Sequence, residues 1–130
     1  MKSIKIITIL FLGLLFFNFT PKQNDKPIVY TVGDSTVKNG RGDGSGGLWG
    51  WGDYIGQFLD TTKVNIENHA LGGTSSRTFK DKGLWIAVLN KHKKGDYVLI
   101  QFGHNDNGAL NDSLRARGTI KGIGNETEEI

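Results

Sequence analysis

The sequence predicts an α/β fold built on a parallel sheet, and three observations predict it. β-rich runs alternate with stretches of helical periodicity, giving the order β-α-β-α-β. The last run, Tyr97-Val98-Leu99-Ile100-Gln101-Phe102, is apolar almost without a break, which suits a strand covered on both faces. Each run ends in a polar cluster, and the carboxyl ends of strands are where open parallel sheets bind ligands. Connections that include a helix are long enough to return the chain for parallel pairing. The expectation is a doubly wound sandwich with helices on both sides of one sheet.

Pro27 to Val32 is the first strand, rich in β-formers, and Gly33-Asp34 ends it. Seven glycines between Gly40 and Gly52 exclude a regular element there. Trp51, Tyr54, Ile55, Phe58 and Leu59 then recur at i, i+3, i+4 and i+7, predicting an amphipathic helix over 51–59. Lys63 to Asn68 is a short second strand. A second helix is expected from about Asp81 to Asn90, burying Leu84, Trp85, Val88 and Leu89. Gly95-Asp96 turns the chain into the third strand. From Gly108 to Ile130 the sequence is polar and punctuated by glycine, without a strand signal.

With 130 residues there is room for one domain, and part of the length is not domain. Residues 1–20 carry Lys2 and Lys5 and then an apolar run from Ile6 to Phe17, the layout of a secretory signal peptide. That run is shorter than the roughly 20 apolar residues of a membrane span. No small-x-small cleavage site is evident, so an uncleaved anchor is the alternative. The expected location is secreted or periplasmic, with residues 21–26 as a linker and 27–130 as the domain portion. Removing Lys2 and Lys5 from sixteen basic residues leaves fourteen against thirteen acidic ones, so the formal charge of +3 is no argument for a nucleic-acid partner. The absence of cysteine excludes a disulfide framework and a thiolate metal site.

The polar clusters carry the chemistry. They are Gly33-Asp34-Ser35-Thr36, then Ala70-Leu71-Gly72-Gly73-Thr74-Ser75-Ser76-Arg77, then Gly103-His104-Asn105-Asp106. In a parallel sheet all three lie at one edge. They suit acyl transfer, in which a serine on a tight turn is the nucleophile and fixed donors receive the developing oxyanion. The N–H groups of Ser35 and Gly73 and the side-chain amide of Asn105 would provide three such donors. Glycine at 73 lets the backbone approach a substrate closely.

These three blocks, in order, resemble the first three of the SGNH (GDSL-like) hydrolases. The Asp34-Ser35-Thr36-Val37 wording and the Ser75-Ser76-Arg77-Thr78-Phe79 continuation are most similar to rhamnogalacturonan acetylesterases. The likeness runs from about Ile28 to Asn107. It implies a flavodoxin-like three-layer α/β/α sandwich with strand order 2-1-3-4-5. It implies Ser35 as nucleophile, Gly73 and Asn105 as oxyanion donors, and hydrolysis of an acetylated polysaccharide or oligosaccharide without cofactor or metal. Asp34, His104 and Asp106 would support the site. The family's fourth block, an Asp-x-x-His supplying the general base, has no counterpart, since no aspartate here has a histidine three positions later. The chain is therefore expected to be the N-terminal portion of such a domain, truncated after about three strands and inactive by itself.

Other readings weigh less. His69 and His92 read as structural or surface residues, and His104 as a hydrogen-bonding support for its loop. Trp49 and Trp51 could stack on sugar rings or pack the helix start. Arg77 could pair with a uronate carboxylate or serve a structural ion pair. Gly42 to Gly47 matches G-x-G-x-x-G, but it starts nine residues after Gly33, too far from the strand end to seat a phosphate on the following helix. A Walker A loop is absent. Another SGNH esterase or lipase, or a noncatalytic carbohydrate-binding remnant, are the alternative functions.

Overall fold

The computed structural model describes residues 26–120 and 122–129. The expected export segment at 1–20, and the expected linker up to residue 25, lie outside the described residues. Strands β1 (Ile28–Gly33), β2 (Asn65–Asn68) and β3 (Tyr97–Gln101) form one parallel sheet in the order β2-β1-β3. Thr31 sits opposite Asn68 and Gly33 opposite Gln101, so all three strands end on the same edge. The ladder runs on past β2, because His69 N–H donates to Thr31 O (2.8 Å) and Leu71 N–H to Gly33 O (3.0 Å). The α/β class and the parallel order are as expected.

Alternation along β1 sends Tyr30 and Val32 to one face, where they meet Phe79 and Val88 in a buried cluster. Ile28, Leu84, Trp85, Val98 and Phe102 pack around it, with the Phe79 and Phe102 rings 5.3 Å apart at an edge-on angle. Two helices carry this layer, α1 (Ser76–Asp81) and α2 (Leu84–Lys91). On the opposite face Gly56 packs onto Ile66 of β2.

Three expectations need correction. The amphipathic helix over 51–59 is instead two short 3-10 turns, Trp51–Asp53 and Ile55–Phe58, and Phe58 is 82% exposed. Gly52 and Gly56 lower helix propensity across this stretch, and the Asp53 carboxylate takes the Gly50 N–H at 3.0 Å, favouring the tighter turn. The helix expected from Asp81 to Asn90 is divided at Gly83, whose φ of +72° no right-handed helix contains; the chain is already helical from Ser76, and Leu89 is exposed. Strand β3 is not covered on both faces: Tyr97, Leu99 and Ile100 are all exposed.

A cluster of titratable groups lies under the sheet. Tyr30 is fully buried, its ring 5.5 Å from that of His69 and 6.2 Å from that of His92. Burial, reinforced by the charges of Asp96 and Glu67, pushes its phenol above the ordinary value. Glu67 accepts from His69 at 2.7 Å and Lys91 at 3.0 Å, and these two bonds hold its carboxyl below the usual range. No helix among the described residues is long and apolar enough to cross a membrane.

Candidate active site

Ser35 stands two residues past β1, on a turn made by its neighbour. The Asp34 carbonyl accepts from Val37 and Lys38 N–H, both at 3.1 Å, and Asp34 Oδ1 accepts from Thr36 N–H and Thr36 Oγ1, both at 2.8 Å. Asp34 is fully buried, with Oδ2 unpartnered among the described residues. The turn thus leaves Ser35 half-buried at the sheet edge, its own N–H unbonded among the described residues.

The second cluster lies against it. A Cβ placed on Gly72 would be 3.6 Å from Ser35 Cβ, which is ordinary contact. Gly73 follows with φ +80°, and no atom lies within 4 Å of the side on which a Cβ would stand. Its N–H also makes no hydrogen bond among the described residues. The third cluster reaches the same place from β3. Asn105 is buried, and its Nδ2 donates to Thr74 O at 3.0 Å, beside Gly73. One amide hydrogen of Asn105 is spent there, and a second remains.

Asp106 fixes the second and third loops to each other. Its Oδ1 accepts from Ser76 N–H at 3.0 Å and from the Ser76 hydroxyl, while Oδ2 accepts from Gly103 N–H at 3.0 Å. Ser75 caps α1: its Oγ accepts from Thr78 N–H at 3.0 Å, and its N–H donates to Thr78 Oγ1 at 2.6 Å. The Ser75 hydroxyl donates in turn to Ala116 O at 2.8 Å.

The remaining candidates stand elsewhere. His104 is exposed and makes no hydrogen bond among the described residues; Asp106, not His104, holds its loop. Trp49 is 44% exposed, with its ring against Gly44 and 4.6 Å from that of Tyr54. Arg77 Nη1 donates to the carbonyls of Leu110 and Gly118, each at 3.0 Å, and borders a cavity of about 410 Å³ with Thr119, Ile120 and Glu128. Among the described residues, none of the three histidines is hydrogen-bonded to Ser35. The sequence reading missed Arg117, whose Nη2 donates to Gly73 O at 3.1 Å across the second loop. Nothing in the pattern of residues 108–130 signals that contact.

Comparison with known proteins places the chain in a family. The model of the GDSL-like lipase/acylhydrolase family matches residues 29–127. The rhamnogalacturonan acetylesterase of Emericella nidulans is 40% identical over 101 residues, covering 78% of this chain and 37% of that protein. The rhamnogalacturonan acetylesterase RhgT of Bacillus subtilis is 44% identical over 82 residues, 62% of this chain and 34% of the relative. The crystal structure of protein YxiM from Bacillus subtilis superposes with a TM-score of 0.52 at 33% identity, covering 62% of this chain and 23% of that one. The chain thus spans about a third of the length of the acetylesterases it matches. With the three blocks gathered at one sheet edge, the match settles the kinship: this chain belongs to the GDSL-like lipase/acylhydrolase family.

Proposed function

We propose that this chain carries the nucleophile and oxyanion site of a secreted serine esterase that removes acetyl groups from a pectic polysaccharide of the rhamnogalacturonan type. The supporting observation is the convergence at one strand edge: Gly72 facing Ser35 closely enough that an added Cβ would touch it, and the Asn105 amide on Thr74 O, with Gly73 between them in the chain. In this reading the Ser35 hydroxyl attacks the acetyl carbonyl, and the oxyanion lies on the N–H groups of Ser35 and Gly73 and the second amide hydrogen of Asn105. Collapse releases the sugar hydroxyl and leaves acetyl-Ser35, which water then hydrolyses. The general base comes from residues outside this chain, so the chain alone is inactive. An unassisted serine hydroxyl is a weak nucleophile at neutral pH.

The substrate follows from the acetylesterases that this chain resembles, and the export segment supplies the route to it. The experiment measures acetate release from acetylated rhamnogalacturonan by the chain alone and by the chain joined to a C-terminal segment carrying an Asp-x-x-His block. Turnover is expected in the joined protein only. Ser35→Ala should abolish it with the fold intact, and Asn105→Ala should lower it about 10²- to 10³-fold, the usual effect of losing one oxyanion donor. Full activity in Ser35→Ala would falsify the nucleophile assignment.

A further inference from the structure

We propose that Trp51 is the floor of a carbohydrate-binding subsite beside Ser35, taking the apolar face of a pyranose ring. The proposal rests on the esterase reading for its choice of sugar, but its own observations are separate. Within four residues the chain presents Leu48, Trp49 and Trp51 to solvent, 46%, 44% and 36% exposed, while Gly50 between them is buried. Their backbone is fixed rather than trailing. Trp51 N–H donates to Thr36 O at 3.0 Å, Gly52 N–H to Val37 O at 2.9 Å, and a Cβ at Gly50 would meet the Val37 carbonyl at 2.2 Å. Thr36 follows Ser35 directly, so the tryptophan is anchored to the nucleophile's own turn.

The indole is oriented as well as placed. Its N–H donates to the Gln101 side-chain oxygen, and Gln101 stands opposite Gly33 in the sheet register. The ring therefore spans the carboxyl ends of β1 and β3, at the edge that carries the three polar clusters. That hydrogen bond occupies the only polar atom of the indole, so the exposed remainder of the ring is aromatic carbon. A π face is electron-rich, and the axial C–H bonds of a pyranose, polarised by their oxygens, match it. A ring stacked there would carry its ester group toward the adjacent turn. Trp49 contributes less, because Gly44 and Tyr54 already occupy its ring.

The test reads binding and needs no turnover. The whole chain, labelled with ¹⁵N at its three tryptophans, is titrated with deacetylated rhamnogalacturonan oligosaccharide while the indole N–H signals are followed. Trp51 should shift, with Trp85 in the core cluster as the unmoved internal reference. Trp51→Leu keeps apolar bulk without the π face and should weaken binding about tenfold, whereas Trp51→Phe should retain most of it. Ser35→Ala should bind as the parent does, so failure of the esterase reading would leave this result standing. The proposal is overturned if Trp51 stays unmoved at saturating oligosaccharide, if folded Trp51→Leu binds equally well, or if a choline-type cation shifts Trp51 and the sugar does not.

Discussion

Two glycines of this chain separate what the fold needs from what the site needs. A Cβ at Gly50 would stand 2.2 Å from the Val37 backbone, although its φ of −116° suits any residue. Gly73 is the reverse, with open space where a Cβ would go but a φ of +80°. Gly50→Ala should therefore unfold or strongly destabilise the chain. Gly73→Ala should fold, at a cost of about 1–2 kcal/mol, and lose turnover in a protein supplied with its base. Thermal unfolding beside acetate release distinguishes the two, and a stable Gly50→Ala would contradict the packing described. The sequence singles out Gly73 as one of a glycine pair within a polar cluster after a strand, and its positive φ agrees with a position that favours glycine. Arg117 was not legible, because a cation in a polar segment carries no sign of which carbonyl it will reach.

Strands were read well from sequence and helices poorly, for a physical reason. β1 and β3 are bounded by turns and made of β-formers, so local preference and tertiary pairing agree. The 51–59 stretch has helical spacing, but its glycines and the Asp53 cap oppose an α-helix, and spacing alone could not weigh them. Gly83 divides the second helical layer in the same way. The turn before β3 carries its own signal and yields a pH prediction. Asp96 accepts Ile28 N–H at 2.8 Å through Oδ1 and Lys93 N–H at 2.8 Å through Oδ2, and these bonds hold its carboxyl below the ordinary 3.8. A carboxyl lowered by folding contributes stability that is present above its unfolded value and lost as pH falls through the folded one. Asp96→Ala should therefore lower the Tm near neutral pH, and the gap to the parent should close as pH drops below about 4. A gap that stays constant with pH would argue against these two bonds.

At the scale of the molecule, β3 is an edge of the sheet among the described residues. Tyr97, Leu99 and Ile100 are 61%, 40% and 58% exposed, and Ile100 joins Val32, Phe79, Trp85 and Phe102 around an apolar cavity of about 240 Å³. An uncharged strand with one unpaired side is a template for another chain. Sedimentation should show concentration-dependent self-association, and Ile100→Lys should suppress it with little loss of far-UV circular dichroism. A parent that stays monomeric at high concentration would refute this. Parallel pairing was legible because strands alternate with stretches of helical periodicity, and the order β2-β1-β3 is the one the family resemblance implies. The apolarity of β3 by itself reads as burial on both faces, whereas the described residues leave it exposed.

Asp106 gives the site a property best described in terms of descent. One carboxylate holds the end of β3 through Gly103 and the start of α1 through Ser76, positions separated by the rest of α1, the whole of α2, the turn after it and β3. A change at this residue cannot alter one loop and spare the other. The two loops are therefore inherited as one unit, while the connection between them is held at its core positions Phe79, Leu84, Trp85 and Val88 and at Asp96, and is free to vary at its exposed ones. Drift in a lineage of such chains should accumulate at exposed positions of α2, such as Ile86 and Leu89, well before it reaches Gly103, Asp106 or Ser76.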